Sequence, residues 1–389
     1  MPEPTAPDPK RKKALARLGL LLAAILLPLG VAEAVLRNLP GPKLRPAVAS
    51  ICGDCPYVYG LNPAYGDVSP QGFVGSKTYA TPKPPGTSRI LVLGDSVAFG
   101  YGINEGRVEK AFPALLEGSL AKGGPVEVVN SGVPGYSAFN ERELYLAKGK
   151  ALSPDVVVLQ SCMNDVADPE NHWFLMVPRS QRAKRHVPPE AVPNPEYHER
   201  VVVPRDQALR KPPPRRSLPY RAVAKTALGQ RLLLLFADKR PPPPAVSLGG
   251  KSWPVDITGE DDLSIQVLTD ETTAESRWLR GQWEKLGAAV SADGGTLVIL
   301  IMPLLTQLED GYPFLPQEQL LRFCQDKGIL CLDPLPALRK HRDEKVFLGQ
   351  EPPGDPPVRD IWHLSPRGHA VVAEEIASFL SAHGLPKRP

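Results

Sequence analysis

The chain has 389 residues, of which 42% are hydrophobic and 23% charged, so it can bury a core and is not globally disordered. Its net charge of +4 is too small to indicate nucleic-acid binding. The 46 prolines exclude helix and central strand from long stretches of the chain. This length allows either one large domain with added segments or two domains.

The N-terminus has the pattern of a targeting segment. The basic cluster Lys10–Arg17 precedes the uncharged apolar run Leu18–Ala32. Cationic flanks tend to stay in the cytoplasm, so the rest of the chain is expected on the periplasmic side of the cell membrane. A small-x-small sequence ending at Ala34 resembles a cleavage site, but an apolar stretch continued to Leu36 is long enough for a tilted membrane helix. We expect an uncleaved single-pass anchor within residues 1–38, with cleavage as the alternative.

The five cysteines fit an oxidising compartment without requiring one. Cys52 and Cys55 form a Cys-x-x-Cys sequence, and Cys324 and Cys331 are spaced wrongly to complete a zinc site with them. The first pair is expected to be a local disulfide or two free thiols. Cys331 lies in an apolar run and is expected to be a core residue.

The rest of the chain predicts an irregular arm over residues 39–88, rich in Pro, Gly and Tyr, and a main domain over residues 89–385. In that domain, short β-branched runs typical of strands buried on both faces alternate with helix-like segments. The strand-like runs are 90–93, 126–129, 156–159, 297–301 and 329–332, and the helix-like segments are 109–122, 139–150, 272–292 and 317–327. This alternation predicts a doubly wound α/β domain with a parallel sheet. A final helix is expected after the N-cap Ser365, with Pro366 at its first position.

One insertion, at about residues 166–269, interrupts the alternation. It contains proline runs such as Lys211–Arg216, and between Pro169 and Trp253 it carries 16 Lys and Arg against 6 Asp and Glu. The proline runs predict a polar, partly disordered segment. Within it, Tyr220–Asp238 has apolar residues at helical spacing, which predicts an amphipathic helix. We expect this helix to cap the functional site, with a position on the lipid surface as the alternative.

Ligands of doubly wound domains bind outside the carboxyl ends of the strands, so the residues after each strand are the functional candidates. The first strand runs into Gly94-Asp95-Ser96, which puts a serine beside a helix N-terminus. The second ends in Asn130-Ser131-Gly132, and the third is followed by Cys162-Met163-Asn164-Asp165. A glycine N–H and an asparagine amide are both suitable donors to an oxyanion.

A serine nucleophile needs a base, and the base needs a group that fixes its tautomer. Of the seven histidines, only His363 has a carboxylate three residues earlier, Asp360. In such a turn the carboxylate accepts from one ring nitrogen while the other faces the serine. His369 is expected at the surface of the last helix. Ser96, His363 and Asp360 are therefore the candidate catalytic residues.

In this order, four blocks of the sequence resemble those of the SGNH, or GDSL, hydrolase family, over roughly residues 88–383 without the insertion. The blocks are Gly94-Asp95-Ser96, Gly132, Asn164-Asp165 and Asp360-Ile361-Trp362-His363-Leu364-Ser365. With the anchor, Gly72-Phe73 and Met302-Pro303, the chain resembles membrane-anchored bacterial members. Two positions depart from the family pattern, since Cys162 replaces a glycine and Val97 replaces a leucine.

The resemblance implies a flavodoxin-like, five-stranded parallel sheet with helices on both faces. It also implies a Ser96–His363–Asp360 triad, and an oxyanion hole built from the backbone N–H groups of Ser96 and Gly132 and the side chain of Asn164. No metal or cofactor is expected.

The expected activity is hydrolysis of acyl or acetyl esters outside the cytoplasm through an acyl-enzyme. The expected partners are the membrane, through the N-terminal helix, and an ester substrate, which is an acetylated polysaccharide, a lipid or a small acyl ester. An O-acyltransferase or deacetylase acting on an envelope or exported polysaccharide is an alternative that uses the same residues. A non-catalytic envelope-assembly protein on the same fold is the second alternative, against which the intact Ser96, Asp360 and His363 argue.

Overall fold

The protein is described here by a computed structural model. The described residues are 9–38, 47–52, 55–167, 187–202, 245–248, 251–254, 267–350 and 360–386, together with the single positions 169, 226, 228 and 265. The chain divides into two units, one of residues 1–45 and 211–241, the other of residues 46–210 and 242–389. The helix predicted over Tyr220–Asp238 lies outside the described residues except for two positions, and the proline run Lys211–Arg216 lies wholly outside them.

The described residues of the first unit include the long helix α1 (Pro9–Asn38). Its section Arg17–Val35 has 19 residues with a mean hydropathy of 2.3, and none of it is buried. By length and composition this section is able to cross a membrane. The helix continues through Glu33 and Ala34 without a break.

The second unit is built around a parallel sheet of five strands. They are β1 (Ser88–Leu93), β2 (Val126–Asn130), β3 (Val156–Ser161), β4 (Thr296–Ile301) and β5 (Leu330–Leu332). Their spatial order is β2-β1-β3-β4-β5, all parallel, which is the flavodoxin-like order. Every residue of β1 and β3 is buried, as continuous apolar runs predict for strands covered on both faces. The predicted fold class is confirmed.

The longer helices among the described residues of this unit, and the short one that follows β1, are α2 (Ser96–Phe99), α3 (Phe112–Leu120), α4 (Ala138–Leu144), α5 (Ala274–Ala292), α6 (Gln317–Lys327), α7 (Leu335–Lys340) and α8 (Pro366–Ala382). Short helical turns also occur at Arg107–Lys110 and Pro195–Tyr197. Helix α3 packs against α8, and α4 packs against α5. As predicted, Ser365 is the N-cap of α8, and its side chain accepts from the Gly368 N–H.

Two predicted helices differ from the structure. The segment 109–122 is divided at Ala111, which is extended and precedes the Phe112-Pro113 start of α3. Proline has no N–H to donate into a preceding turn, so it suits the first turn of a new helix. The segment 139–150 is α-helical only to Leu144, and the chain continues as a π-helical turn and then a 3₁₀ turn to Leu152.

The arm over residues 39–88 is not irregular throughout. Ala49–Ile51 pairs antiparallel with Tyr59–Leu61. The Tyr59 hydroxyl donates to the Pro134 carbonyl oxygen at 3.2 Å, and the Tyr136 hydroxyl donates to the Tyr59 carbonyl oxygen at 2.5 Å. These bonds tie the arm to the loop that follows β2. The strands have only three residues each, too few to produce a period-two pattern in the sequence.

Four of the described cysteines form two disulfides. Cys52 is bonded to Cys55, and Cys324 is bonded to Cys331. The expectation that Cys331 is simply a core residue is therefore wrong, since it is half-buried and joins β5 to helix α6. The turn between the end of α6 and β5 brings the two residues together although seven positions separate them.

Candidate active site

Three side chains from distant parts of the sequence form a hydrogen-bonded chain. His363 Nε2 lies 2.9 Å from Ser96 Oγ, and His363 Nδ1 lies 2.7 Å from Asp360 Oδ2. Ser96 and His363 are half-buried, which leaves them open to a reactant. With Nδ1–H donating to the carboxylate, Nε2 is the unprotonated nitrogen that accepts from the serine hydroxyl. The arrangement has the geometry of a nucleophile, its base and an orienting acid.

The position of Ser96 follows from a tight turn at the end of β1. Asp95 is the N-cap of α2, with Oδ1 accepting from the Val97 N–H at 2.9 Å. A Cβ at Gly94 would lie 2.5 Å from Gln160 Oε1 and 2.9 Å from Ala98 Cβ. Glycine is therefore required for α2 to start this close to β3.

Gln160 holds the same turn from the neighbouring strand. Its Oε1 accepts from the backbone N–H groups of Asp95 at 3.2 Å and Ala98 at 3.0 Å. Since both donors lie at the start of α2, Gln160 fixes the position and direction of the helix that begins with Ser96. Sequence reasoning did not identify this residue. The sequence signal was a glutamine directly after the apolar run Val156–Leu159, at a position that the structure shows to be fully buried.

Asp360 and His363 lie in a loop that hydrogen bonds hold at both ends. Asp360 Oδ1 accepts from the backbone N–H groups of Trp362 at 3.0 Å and His363 at 2.9 Å. The Leu348 N–H donates to the His363 carbonyl oxygen at 2.9 Å. Burial raises the pKa of Asp360, but its hydrogen bonds and the charge of His363 outweigh this and hold the pKa below the usual range. The carboxyl is therefore ionised and able to orient the imidazole.

Gly132 has a steric role that the sequence does not show. A Cβ there would lie 2.5 Å from the Phe99 N atom and 2.8 Å from the Ala98 carbonyl carbon. Glycine is therefore needed for the loop after β2 to pack against the backbone of α2. The Gly132 N–H donates to Asn130 Oδ1 at 2.9 Å, and Asn130 Nδ2 donates to the Ala98 carbonyl oxygen at 2.8 Å. The expected oxyanion donor is thus engaged by a neighbouring side chain.

Asn164 follows β3 in a short 3₁₀ turn, Met163–Val166. The residue is buried, and its Oδ1 has no hydrogen-bond partner among the described residues. Cys162, which replaces the usual glycine, has φ −102° and ψ 160°, an extended conformation open to any residue. The thiol is buried, and burial raises its pKa well above the usual value. The substitution therefore does not distort the loop that carries Asn164.

The expectation that His369 lies at the helix surface is wrong. The side chain is 1% exposed, and its Nδ1 accepts from the Phe112 N–H at 3.3 Å. Burial, and to a lesser extent the charge of His363, lowers the pKa of His369 to about 3, so the ring is neutral. It shares the core face of α8 with Val372, Ala373 and Ile376, a spacing of three, four and seven residues that indicated burial.

Three carboxyl groups are buried under the site. Asp95, Glu141 and Asp165 are each fully buried, and neither oxygen of Glu141 has a hydrogen-bond partner among the described residues. Burial raises the pKa of all three. The charges of Asp165 and Asp95 further raise the pKa of Glu141, and the charge of Asp95 further raises that of Asp165. Within the described ranges, no group of three or more His, Cys, Asp or Glu side chains is arranged to hold a metal ion.

We expect Glu141→Gln to make the fold less sensitive to alkaline pH. The pKa of Glu141 in the folded protein lies above its unfolded value of about 4.3. The protonated Glu141 therefore makes its full contribution to the free energy of unfolding below about pH 4.3. This contribution is lost as the pH rises through the pKa of the folded protein. Glutamine cannot ionise, so the variant should match the parent near pH 4 and exceed its free energy of unfolding at pH 8 by roughly 1–3 kcal/mol.

Urea unfolding of both proteins at the two pH values measures this difference. Glu143→Gln, on the same helix, is the matched control, because Glu143 is paired with Arg142 at 2.5 Å and its replacement should bring no gain at pH 8. Parallel stability profiles for the parent and Glu141→Gln would contradict the prediction.

The comparisons with known proteins agree with this architecture. The model of the GDSL-like Lipase/Acylhydrolase family matches residues 92–226, a segment that contains Ser96, Gly132 and Asn164. Among curated proteins, no sequence matches the chain.

Several solved structures are similar at low identity. An acetylxylan esterase from Geobacillus stearothermophilus is 11% identical, with 75% of this chain and 94% of the other covered and a TM-score of 0.39. A member of the lipolytic protein G-D-S-L family from Veillonella parvula DSM 2008 is 12% identical, with 76% and 98% covered and a TM-score of 0.38. With TM-scores this low, neither protein assigns an activity or a substrate to this one.

The family match covers the three blocks that follow β1, β2 and β3. The structure brings the fourth block, with Asp360 and His363, to the same serine. The resemblance found in the sequence is thereby confirmed: residues 92–226 match the model of the GDSL-like Lipase/Acylhydrolase family.

Proposed function

We propose that the protein is a serine ester hydrolase that acts on acyl or acetyl esters through an acyl-enzyme. The observation that carries the proposal is the pair of hydrogen bonds from Asp360 to His363, at 2.7 Å, and from His363 to Ser96, at 2.9 Å. A serine at this distance from an oriented imidazole is prepared for nucleophilic attack.

In the proposed reaction, Ser96 Oγ attacks the ester carbonyl carbon while His363 Nε2 takes the hydroxyl proton. Asp360 accepts from Nδ1–H throughout and stabilises the imidazolium. The tetrahedral intermediate collapses, the C–O bond to the alcohol breaks, and His363 returns the proton to the alcohol oxygen. Water then attacks the acyl-enzyme by the same route and releases the carboxylic acid and free Ser96.

The oxyanion has three candidate donors. Ser96 is the first residue of α2, so its N–H has no acceptor within the helix. The Asn164 amide is the second donor. Since Oδ1 of this buried side chain has no hydrogen-bond partner in the described part of the chain, the amide can turn its NH₂ group towards a substrate oxygen. The Gly132 N–H is the third, and there a substrate oxygen has to compete with Asn130 Oδ1. Each donor of this kind contributes about 3 kcal/mol.

The experiment that tests the activity is hydrolysis of a series of esters, from acetyl to long-chain acyl, by the purified protein. Reaction with a fluorophosphonate, which traps an activated serine, is the accompanying measurement. A folded protein that neither turns over any ester nor reacts with the fluorophosphonate would refute the proposal.

We also propose that the catalytic domain lies outside the cytoplasmic membrane, held by α1. The apolar section Arg17–Val35 and the preceding basic residues support an anchor with a cytoplasmic N-terminus. The disulfides Cys52–Cys55 and Cys324–Cys331 support an oxidising compartment.

This location predicts that protease added to intact spheroplasts degrades the domain, while detergent is needed to release the undigested protein from membranes. Digestion of a cytoplasmic protein in the same sample is the control for leakage. A domain that is protected until the spheroplasts are lysed would exclude export. Release by a salt or alkaline wash alone would show cleavage near Ala34.

A further inference from the structure

One aromatic side chain beside the site is exposed without an evident reason. Among the described residues outside α1, Tyr101 is the only large hydrophobic side chain that is exposed, at 47%. Its ring centroid lies 4.8 Å from that of His363, with an angle of 38° between the two planes. Part of the Tyr101 ring therefore contacts the imidazole, and the rest is open to solvent.

The backbone around Tyr101 is built to hold the ring in this place. Gly100 and Gly102 both have left-handed conformations, with φ of +78° and +83°, which favour glycine. A Cβ at Gly100 would lie 3.1 Å from Ala111 Cβ, and one at Gly102 would collide with the Leu348 side chain. The Tyr101 N–H donates to the carbonyl oxygen of Ser96 itself at 2.9 Å. The turn that presents the ring is thus fixed to the nucleophile.

The chemistry of ester cleavage determines which part of a substrate reaches this ring. The carbonyl oxygen must face the oxyanion donors, whereas the alcohol oxygen must come within hydrogen-bond distance of His363 Nε2 to receive its proton. The alcohol part of the ester therefore leaves next to the imidazole. The Tyr101 ring, in contact with that imidazole, borders the space through which the alcohol departs.

We propose that Tyr101 is a specificity-determining residue that stacks on the alcohol part of the ester and selects alcohols that carry a ring with a flat C–H face, such as a pyranoside. This inference rests on the proposed esterase function and names the substrate class for the same site. A ring face covers the exposed part of the tyrosine and gains dispersion and burial. An open-chain alcohol has no such face and gains much less.

The test compares two acetates, a monoacetylated methyl pyranoside and monoacetylated glycerol, with the full-length protein in detergent. Tyr101→Ala should lower kcat/KM for the pyranoside acetate about three- to tenfold and change that for the glycerol acetate less than about twofold. Tyr101→Phe keeps the ring and should keep the preference. The pH profile of kcat for the glycerol acetate should be the same in all three proteins, because a ring that acts only on the alcohol does not alter His363.

Two results would overturn the inference. An equal loss on both acetates, with a shifted pH profile, would mean that Tyr101 acts through His363, and no loss on either would mean that it contacts no substrate. Fluorophosphonate reaction at Ser96 separates these results from failure of the proposed function. A parent protein that reacts with the fluorophosphonate but hydrolyses neither acetate would refute the substrate class alone, whereas one that does not react would refute the esterase itself.

Discussion

Replacement of Ser96 by alanine is expected to abolish covalent reaction with a fluorophosphonate and to reduce ester turnover by at least about 10⁴-fold. The variant loses Ser96 Oγ, the atom that lies 2.9 Å from His363 Nε2. It should still fold, since Ser96 occupies the first position of α2 and the cap of that helix is the side chain of Asp95. Any residual turnover would come from binding and oxyanion stabilisation alone.

Ser119→Ala is the matched control for this substitution. The Ser119 hydroxyl donates to the Leu115 carbonyl oxygen within helix α3, on the exposed surface, so the same change of side chain should leave labelling and turnover intact. Circular dichroism and the unfolding temperature of both variants establish that they are folded. A Ser96→Ala protein that is labelled as fast as the parent would mean that another residue is the nucleophile.

The central sheet was predictable from the sequence because its strands are buried on both faces. Runs such as Val156–Leu159 leave no polar position for a solvent-facing side, and the intervening helical segments are long enough for parallel crossovers. The five strands lie within two residues of the predicted bounds at either end. The last helix was equally clear, since Ser365 and Pro366 together form a start signal that depends only on local backbone geometry.

The parts that were missed depend on tertiary packing. The strand pair in the arm is stabilised by Tyr59 and Tyr136, whose bonds span 75 residues or more, and no local pattern reveals such a partner. The burial of His369 is not predictable from its residue type, because histidine is polar, although its spacing with Ile376 matches the apolar face. In both cases the side chain's long-range partner, and not its residue type, determines where it lies.

The candidate site likewise contains residues that the sequence predicts and residues that it does not. Ser96, Asp360 and His363 were identifiable because each chemical role demands a particular residue type at a strand end or in a short turn. Gln160 and Tyr101 were not, since their roles depend on orientation. The amide oxygen of Gln160 accepts from two backbone N–H groups at the start of α2, and the ring centroid of Tyr101 lies 4.8 Å from that of His363. The local sequence does not determine the direction of either side chain.

Replacement of Asp360 by asparagine is expected to lower kcat about 10⁴-fold while the loop keeps its shape. Asp360 Oδ1 accepts from two backbone N–H groups, and Oδ2 accepts from His363 Nδ1. In the variant, the amide oxygen would keep the backbone bonds, and the NH₂ group would face Nδ1. Since the amide can only donate there, Nδ1 must accept, and the proton moves to Nε2. His363 then has no lone pair for the Ser96 proton.

Steady-state kinetics of Asp360→Asn, with the rate of fluorophosphonate labelling as a second readout, measures this effect. Asp310→Asn makes the same chemical change at an exposed residue paired with Arg342 and should retain activity. KM should change little, because the tautomer affects proton transfer and not substrate binding. A variant with nearly normal kcat would show that the carboxylate does not select the tautomer. In that case Asp360 would only cap the turn that carries His363, and the acid that orients the imidazole would have to be sought elsewhere.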